Sequence, residues 1–239
     1  MIFAIVHYNT PELTSCLCGS IIKHNKNTEI IIFDNSDKRP FNKDLLNIKY
    51  IDNTKGQIIN FNNFLETFNN KDSNRQQKTG VNFGSSKHAL SIEWLITNIK
   101  ENFILLDSDV LIKKPIDFID NNYICCCDIY KNIDGCKLRC SPMICYFNVN
   151  KIKELNIKYF DAKRMIGLNL NDKESMKYDT GSSFYEDIKD IPNSIKKINM
   201  NDYIIHYGNG SWNLNTRNGK RHTTLNFKQF LMKYKDLWK

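Results

Sequence analysis

Apolar runs and polar breaks alternate in a regular order through the first half of the chain. Ile2 to Val6 is a short apolar run with β-branched residues, the pattern of a buried strand. In the HYNTPEL that follows, Thr10 can N-cap, Pro11 suits the first helical position, and Leu13, Leu17 and Ile21 recur at helical spacing. EIIIF at 29–33 predicts a second strand, ending in Asp34-Asn35-Ser36. Ile48 to Ile51 predicts a third, ending in Asp52-Asn53 and a turn at Gly56. Phe61, Phe64, Leu65 and Phe68 suggest a helix, and the polar stretch 69–80 a loop. Ala89, Ile92, Ile96 and Ile99, with Trp94 and Leu95, predict a long helix feeding a strand at Phe103 to Leu106.

Near-continuous apolar strands alternating with helices are the pattern of an α/β domain with a mostly parallel sheet flanked by helices. After Pro115 the pattern changes. Tyr123 to Tyr130 and Met143 to Val149 read as strands with no long helix between them, so the second half is expected to be mixed and partly antiparallel. At the end, Phe227, Phe230, Leu231, Tyr234 and Trp238 fall on one helical face, with Lys228, Lys233, Lys235 and Lys239 around it. Two readings of this stripe stand: a helix packed on the domain, or an interfacial basic helix placing the chain at the cytoplasmic face of a membrane.

Composition narrows the partners. The 239 residues carry a formal charge of +8, which favours anionic partners such as nucleotides or phosphorylated lipids. A nucleic-acid module would concentrate its basic residues among aromatics. Here they are scattered, apart from Arg217 to Arg221 and the C-terminal stripe, so no nucleic-acid partner is expected. The opening MIFAIV lacks a basic flank and no apolar run approaches ~18 residues, so neither a signal peptide nor a membrane span is expected. The eight cysteines are then expected as thiols in a reducing cytosol. Those at 16, 18 and 125–127 lie in apolar segments as small hydrophobes; Cys136, Cys140 and Cys145 lack the paired spacing of a zinc knuckle.

Candidate chemistry collects at the strand ends. In open parallel sheets, ligands bind beyond the carboxyl ends of the strands. That rule selects His7-Tyr8-Asn9, Asp34-Asn35-Ser36, Asp52-Asn53 and Asp107-Ser108-Asp109. Two carboxylates at i and i+2 can both approach a hard divalent cation, Mn²⁺ or Mg²⁺, although an acidic turn would read the same way. Downstream, His206 closes the apolar run of YIIHYGNGSW and could add an imidazole ligand. In KYDTGSSFYED, Ser183 and Glu186 fit a capping box, while Asp179 sits ahead of it in a loop, where a general base could reach a substrate.

In order and spacing, VHYNTPEL, EIIIFDNSD, ILLDSDV and IIHYGNGSW resemble the GT-A fold glycosyltransferases, closest to the family 2 type. The resemblance implies a Rossmann-like single α/β domain over 1–212, with a nucleotide-binding half at 1–112 and an acceptor-binding half at 113–212. Residues 213–239 would form a tail with the basic amphipathic helix. It also implies an enzyme moving a sugar from a UDP- or GDP-type donor to a hydroxyl of a glycan or lipid-linked acceptor in surface polysaccharide or glycoconjugate synthesis. Tyr8, Asn9 and Asp34 would contact the nucleobase or ribose. Lys87 and His88 would meet the nucleotide, and Ser211 and Trp212 the phosphates and the closing loop. Asp107 would face the ribose or donor sugar and a metal-bound water, completing with Asp109 and His206 a site for Mn²⁺ or Mg²⁺ in which the latter two bind the ion directly. Asp179 is the preferred base, with Asp187 or Glu186 as alternatives. HYGNGSW is also similar to the HYxGxxKPW ending of some retaining enzymes, but carries Ser for Lys, which favours inversion. A sugar-1-phosphate nucleotidyltransferase would be expected to open with a Gly-rich loop where this chain has HYNTPEL.

Overall fold

A computed structural model describes residues 1–42, 48–60, 83–131, 135–165, 174, 177–208 and 227–239. The helix expected from Phe61 to Phe68 and the expected loop at 69–80 lie outside the described residues. Seven strands form one sheet: β1 Ile2–His7, β2 Glu29–Asp34, β3 Ile48–Asp52, β4 Phe103–Asp107, β6 Cys125–Tyr130, β7 Arg139–Phe147 and β8 Ile195–Lys197. Their order is β3-β2-β1-β4-β7-β6-β8. The first four are mutually parallel, whereas β7 runs antiparallel to both β4 and β6. A separate pair joins β5 Val110–Ile112 to β9 Ile204–His206.

Alternation along β1 shows why these runs are buried on both sides. Ile2, Ala4 and Val6 face one apolar layer, and Phe3 and Ile5 face the other. Helix α1 Pro11–His24 covers one side through Leu17 and Ile21. Helix α2 Phe83–Asn98 covers the opposite side through Ala89, Ile92, Leu95 and Ile96. Thr10 does precede α1, but its side chain makes no cap bond and instead donates to Ser108 Oγ at 3.4 Å, tying the end of β1 to the end of β4.

The second half departs from expectation in three places. β7 starts at Arg139 rather than Met143, with Pro142 inside a register shift against β6. A bulge is one of the few sites where a sheet tolerates a proline. Val149 begins a short helix, α3 Val149–Glu154, because Asn148 caps it by accepting from Lys151 N–H. Beyond α4 Ala162–Met165, helix α5 Ser182–Ile188 follows Gly181, whose φ of +87° is the left-handed conformation glycine accepts at least cost. The expected capping box is therefore absent. Ser183 lies inside the helix and Glu186 pairs with Lys189 at 3.1 Å.

The C-terminal stripe forms two short helices, α6 Phe227–Lys233 and α7 Lys235–Trp238, rather than one. Its aromatic face packs with Leu13 and Cys16 of α1, Leu111 of β5, and Tyr207. That is the packed-helix alternative, since the face an interfacial helix would give to lipid is turned inward. No helix among the described residues is long and apolar enough to cross a membrane.

Candidate active site

The strand order reverses between β1 and β4, the point where an open α/β sheet leaves a crevice. Register brings the polar ends level there. His7 pairs with Asp34, Asp34 with Asp52, and Val6 with Asp107. Asp107 is half-buried, and Ser108 and Asp109 are buried.

β5 then carries the chain alongside β9. Val110 stands opposite His206, and Tyr207 N–H donates to the Asp109 carbonyl at 2.9 Å. This pairing brings the His206 imidazole to the DSD turn, with Nε2 3.2 Å from Asp109 Oδ1. From α2, His88 Nε2 lies 3.6 Å from Asp107 Oδ1, too long for a hydrogen bond, and that nitrogen is buried with no hydrogen-bond partner among the described residues.

The charges act on one another. Burial raises the Asp107 carboxyl above the usual carboxylate range, and Asp109 adds to this, while His88 and His206 oppose it. Burial alone would lower the His206 imidazole; the Asp109 carboxylate and its hydrogen bond outweigh it and raise the net value.

The donor set fits a hard divalent cation. It offers two carboxylates and an imidazole nitrogen, the ligand types Mn²⁺ and Mg²⁺ accept. Cis ligands held at ~2.1 Å stand ~3 Å apart, close to the separation of Asp109 and His206. Full convergence is not present. Among the described residues, the group of three His, Cys, Asp or Glu whose ligand atoms all lie within 4.8 Å of one another is Cys125, Cys127 and Cys145.

The β2 end is built differently from the expectation. Asp34 is completely buried, and its carboxylate accepts from Ser36 N–H at 2.8 Å, Phe41 N–H at 2.7 Å and Tyr50 O–H at 2.9 Å. It fastens the loop after β2 instead of facing a ligand. Asn9, with φ +57°, works from the other side. Its side-chain oxygen accepts from Lys38 and Arg39 N–H, and its amide donates to Asp37 Oδ1 at 2.6 Å. Tyr8 remains half-buried, with the Lys87 ammonium 5.3 Å from its ring centroid. Burial, then Asp37, raises the Tyr8 phenol; burial lowers the Lys87 ammonium, partly offset by Asp37. Tyr8 after β1, Lys87 of α2 and exposed Asp37 of the loop after β2 thus come together here. Asp37 was missed in the sequence, where it is one acid among polar loop residues.

Asp179 is not a free loop carboxylate either. It is buried, with Oδ2 accepting from Arg139 Nη1 at 2.7 Å and Oδ1 from Ser85 O–H and from Thr180 N–H at 2.8 Å. Arg139 also donates to Tyr130 O–H and stacks 4.5 Å from its ring centroid. Burial raises the Tyr130 phenol to about 12. The Arg139 charge also acts on Asp107, more weakly than His88, Asp109 and His206 do. A buried Arg opening an apolar strand was the sequence signal for this network, since such a charge requires a partner. Of the alternatives, Asp187 is paired with Arg164 and Glu186 with Lys189. Ser211 and Trp212 lie outside the described residues.

No protein-family model matches the chain, and no curated protein matches it in sequence. Solved structures do match in shape. The galactosyltransferase LgtC, in complex with donor and acceptor sugar analogues, aligns over 83% of this chain and 73% of its own, with a TM-score of 0.50 at 12% identity. An active-site mutant of LgtC gives a TM-score of 0.52 at 14% identity, with the same coverage. The fold is GT-A. On this GT-A sheet, the crevice at the β1–β4 reversal is where Asp107, Asp109, His206, Tyr8 and Lys87 gather.

Proposed function

We propose that the chain is a glycosyltransferase that moves a sugar from a nucleotide-sugar donor to a hydroxyl acceptor, with a divalent cation at the DSD turn. The observation that carries this reading is the meeting of Asp109 and His206, 3.2 Å apart, at the reversal point of a GT-A sheet.

Each residue then has a task. Asp109 and His206 would hold Mn²⁺ or Mg²⁺, and Asp107 would face the ribose or donor sugar. When bound, the ion supplies positive charge to the departing diphosphate. Lys87 adds a fixed charge on the donor side, and the Tyr8 ring offers a flat face to the base. Asn9 and Asp34 position the loop after β2, which carries Asp37. Ser211 and Trp212 are proposed against the phosphates. Residues 113–212 form the proposed acceptor side, receiving a glycan or lipid-linked saccharide. The charge of +8 favours an anionic donor or a lipid pyrophosphate.

Inversion needs a carboxylate that receives the acceptor proton. Both oxygens of Asp179 already accept hydrogen bonds inside the fold, one of them from a guanidinium, so neither is turned to an acceptor hydroxyl. We assign Asp179 to holding Arg139 beside the donor sugar. The expectation of inversion therefore finds no free base in Asp179, Asp187 or Glu186.

Thermal-shift screening of UDP-, GDP-, CMP- and dTDP-sugars, with and without Mn²⁺, tests the proposal. One nucleotide class should raise Tm, and more strongly with Mn²⁺. No stabilisation in any combination refutes it. Proton NMR of the product's anomeric linkage then assigns the stereochemical course.

A further inference from the structure

Seven of the eight cysteines are buried, and four of them belong to one apolar layer. Cys125 and Cys127 project from the same face of β6, and Cys145 of β7 stands directly across from Cys127. Cys126 points into the opposite layer. The Sγ atoms of Cys125 and Cys127 are 3.9 Å apart, and the ligand atoms of Cys125, Cys127 and Cys145 all lie within 4.8 Å of one another. Cys140, beside the register shift, borders the trio. Burial first, then Cys125 and Cys127, pushes its thiol well above the ordinary range.

The 3.9 Å between Cys125 and Cys127 is the spacing of two ligands sharing one soft cation, and Cys145 lies within 4.8 Å of both. Thiolates at ~2.3 Å from a metal stand ~3.8 Å apart in tetrahedral geometry and ~4.0 Å apart in trigonal geometry. A disulfide would bring its sulfurs to ~2.05 Å.

We propose that Cys125, Cys127 and Cys145 form a buried binding site for a thiophilic d¹⁰ cation. Binding exchanges the S–H bond of each ligating cysteine for a sulfur–metal bond and releases one proton per ligand to solvent, three for a three-cysteine site and four where Cys140 joins, with no electron transfer. Zn²⁺ and Cu⁺ share this ligand chemistry. Zn²⁺ would take Cys140 as a fourth ligand, whereas trigonal Cu⁺ would not. With all three thiols sealed from solvent, the ion is taken up as the chain folds. It would pin β6 to β7 under α5, apart from the DSD turn and independent of the glycosyl-transfer reading.

The test unfolds the reduced full-length chain and refolds it with Zn²⁺, with Cu⁺ or with a chelator. Bound metal is counted by mass spectrometry after gel filtration, and each sample is melted. One ion per chain is expected, with a Tm above that of the chelated sample. Cys127→Val and Cys145→Val should lose the ion, and Cys126→Val should keep it. Should the first two fail to fold, Co²⁺-refolded wild type gives an independent reading, a sulfur-to-cobalt charge-transfer band. A metal-free chain after both refoldings, or an ion retained by both Cys127→Val and Cys145→Val, overturns the proposal.

Discussion

Replacing Asp34 with Asn separates two accounts of the β2 end. If Asp34 touched the nucleotide, Asp34→Asn would weaken nucleotide binding and leave the free protein intact. In the structure its carboxylate is fully buried and accepts from Ser36 N–H, Phe41 N–H and Tyr50 O–H. An amide keeps only one oxygen. Facing Phe41 and Tyr50 with it leaves Ser36 N–H against an NH₂ group; the flipped rotamer strands two donors. A buried donor stripped of its acceptor costs about 1–3 kcal/mol, and the surviving bonds lose their charge assistance. The sum is about 2–4 kcal/mol, which for a chain of this size lowers Tm by about 4–16 °C. Thermal and urea denaturation of the nucleotide-free protein measure it. A Tm within about 1 °C of wild type would refute the reasoning.

Other substitutions probe the remaining networks. Asp179→Asn leaves the Arg139 guanidinium buried without its counter-charge, and should cost about 3–5 kcal/mol by urea denaturation, with much of it regained when Arg139→Met is added. Gly181→Ala would place a Cβ 2.1 Å from the Cys140 carbonyl oxygen at φ +87°. It should cost more than the roughly 1–2 kcal/mol of left-handed strain alone, read as a lowered Tm. His7 is buried against Thr14, and burial lowers its imidazole below the ordinary value of 6.5. The unfolded chain therefore binds the proton more readily, so this stability is full above about pH 6.5 and is lost as pH falls through the folded value. His7→Asn should flatten that slope in urea titrations between pH 7.5 and 5.

The layered fold was legible because parallel strands buried on both faces are apolar at nearly every position, as in Ile2 to Val6 and Phe103 to Leu106. The DSD turn was legible because it ends such a strand. The direction of a strand-end side chain was not. Asp34 and Asp107 look alike in sequence, yet the loop after β2 folds back over the first and leaves the second half-open. Asp179 read as free because its partner Arg139 lies on a strand whose start is shifted by the bulge around Pro142. The cysteine cluster was illegible because Cys145 joins Cys125 and Cys127 only across the β6–β7 register. The cap of α5 was misread because a left-handed Gly181 does the work assigned to Ser183.

The central claim is that Asp109 and His206 hold a divalent cation beside a nucleotide. Titrating Mn²⁺ into the protein with a nucleoside diphosphate, and following free Mn²⁺ by electron paramagnetic resonance, tests it most directly. The account predicts one nucleotide-dependent Mn²⁺ per wild-type chain, lost in Asp109→Asn and in His206→Gln while circular dichroism shows both folded. Wild-type protein that takes up no Mn²⁺ with any nucleoside diphosphate, or variants that bind it as wild type does, would contradict it.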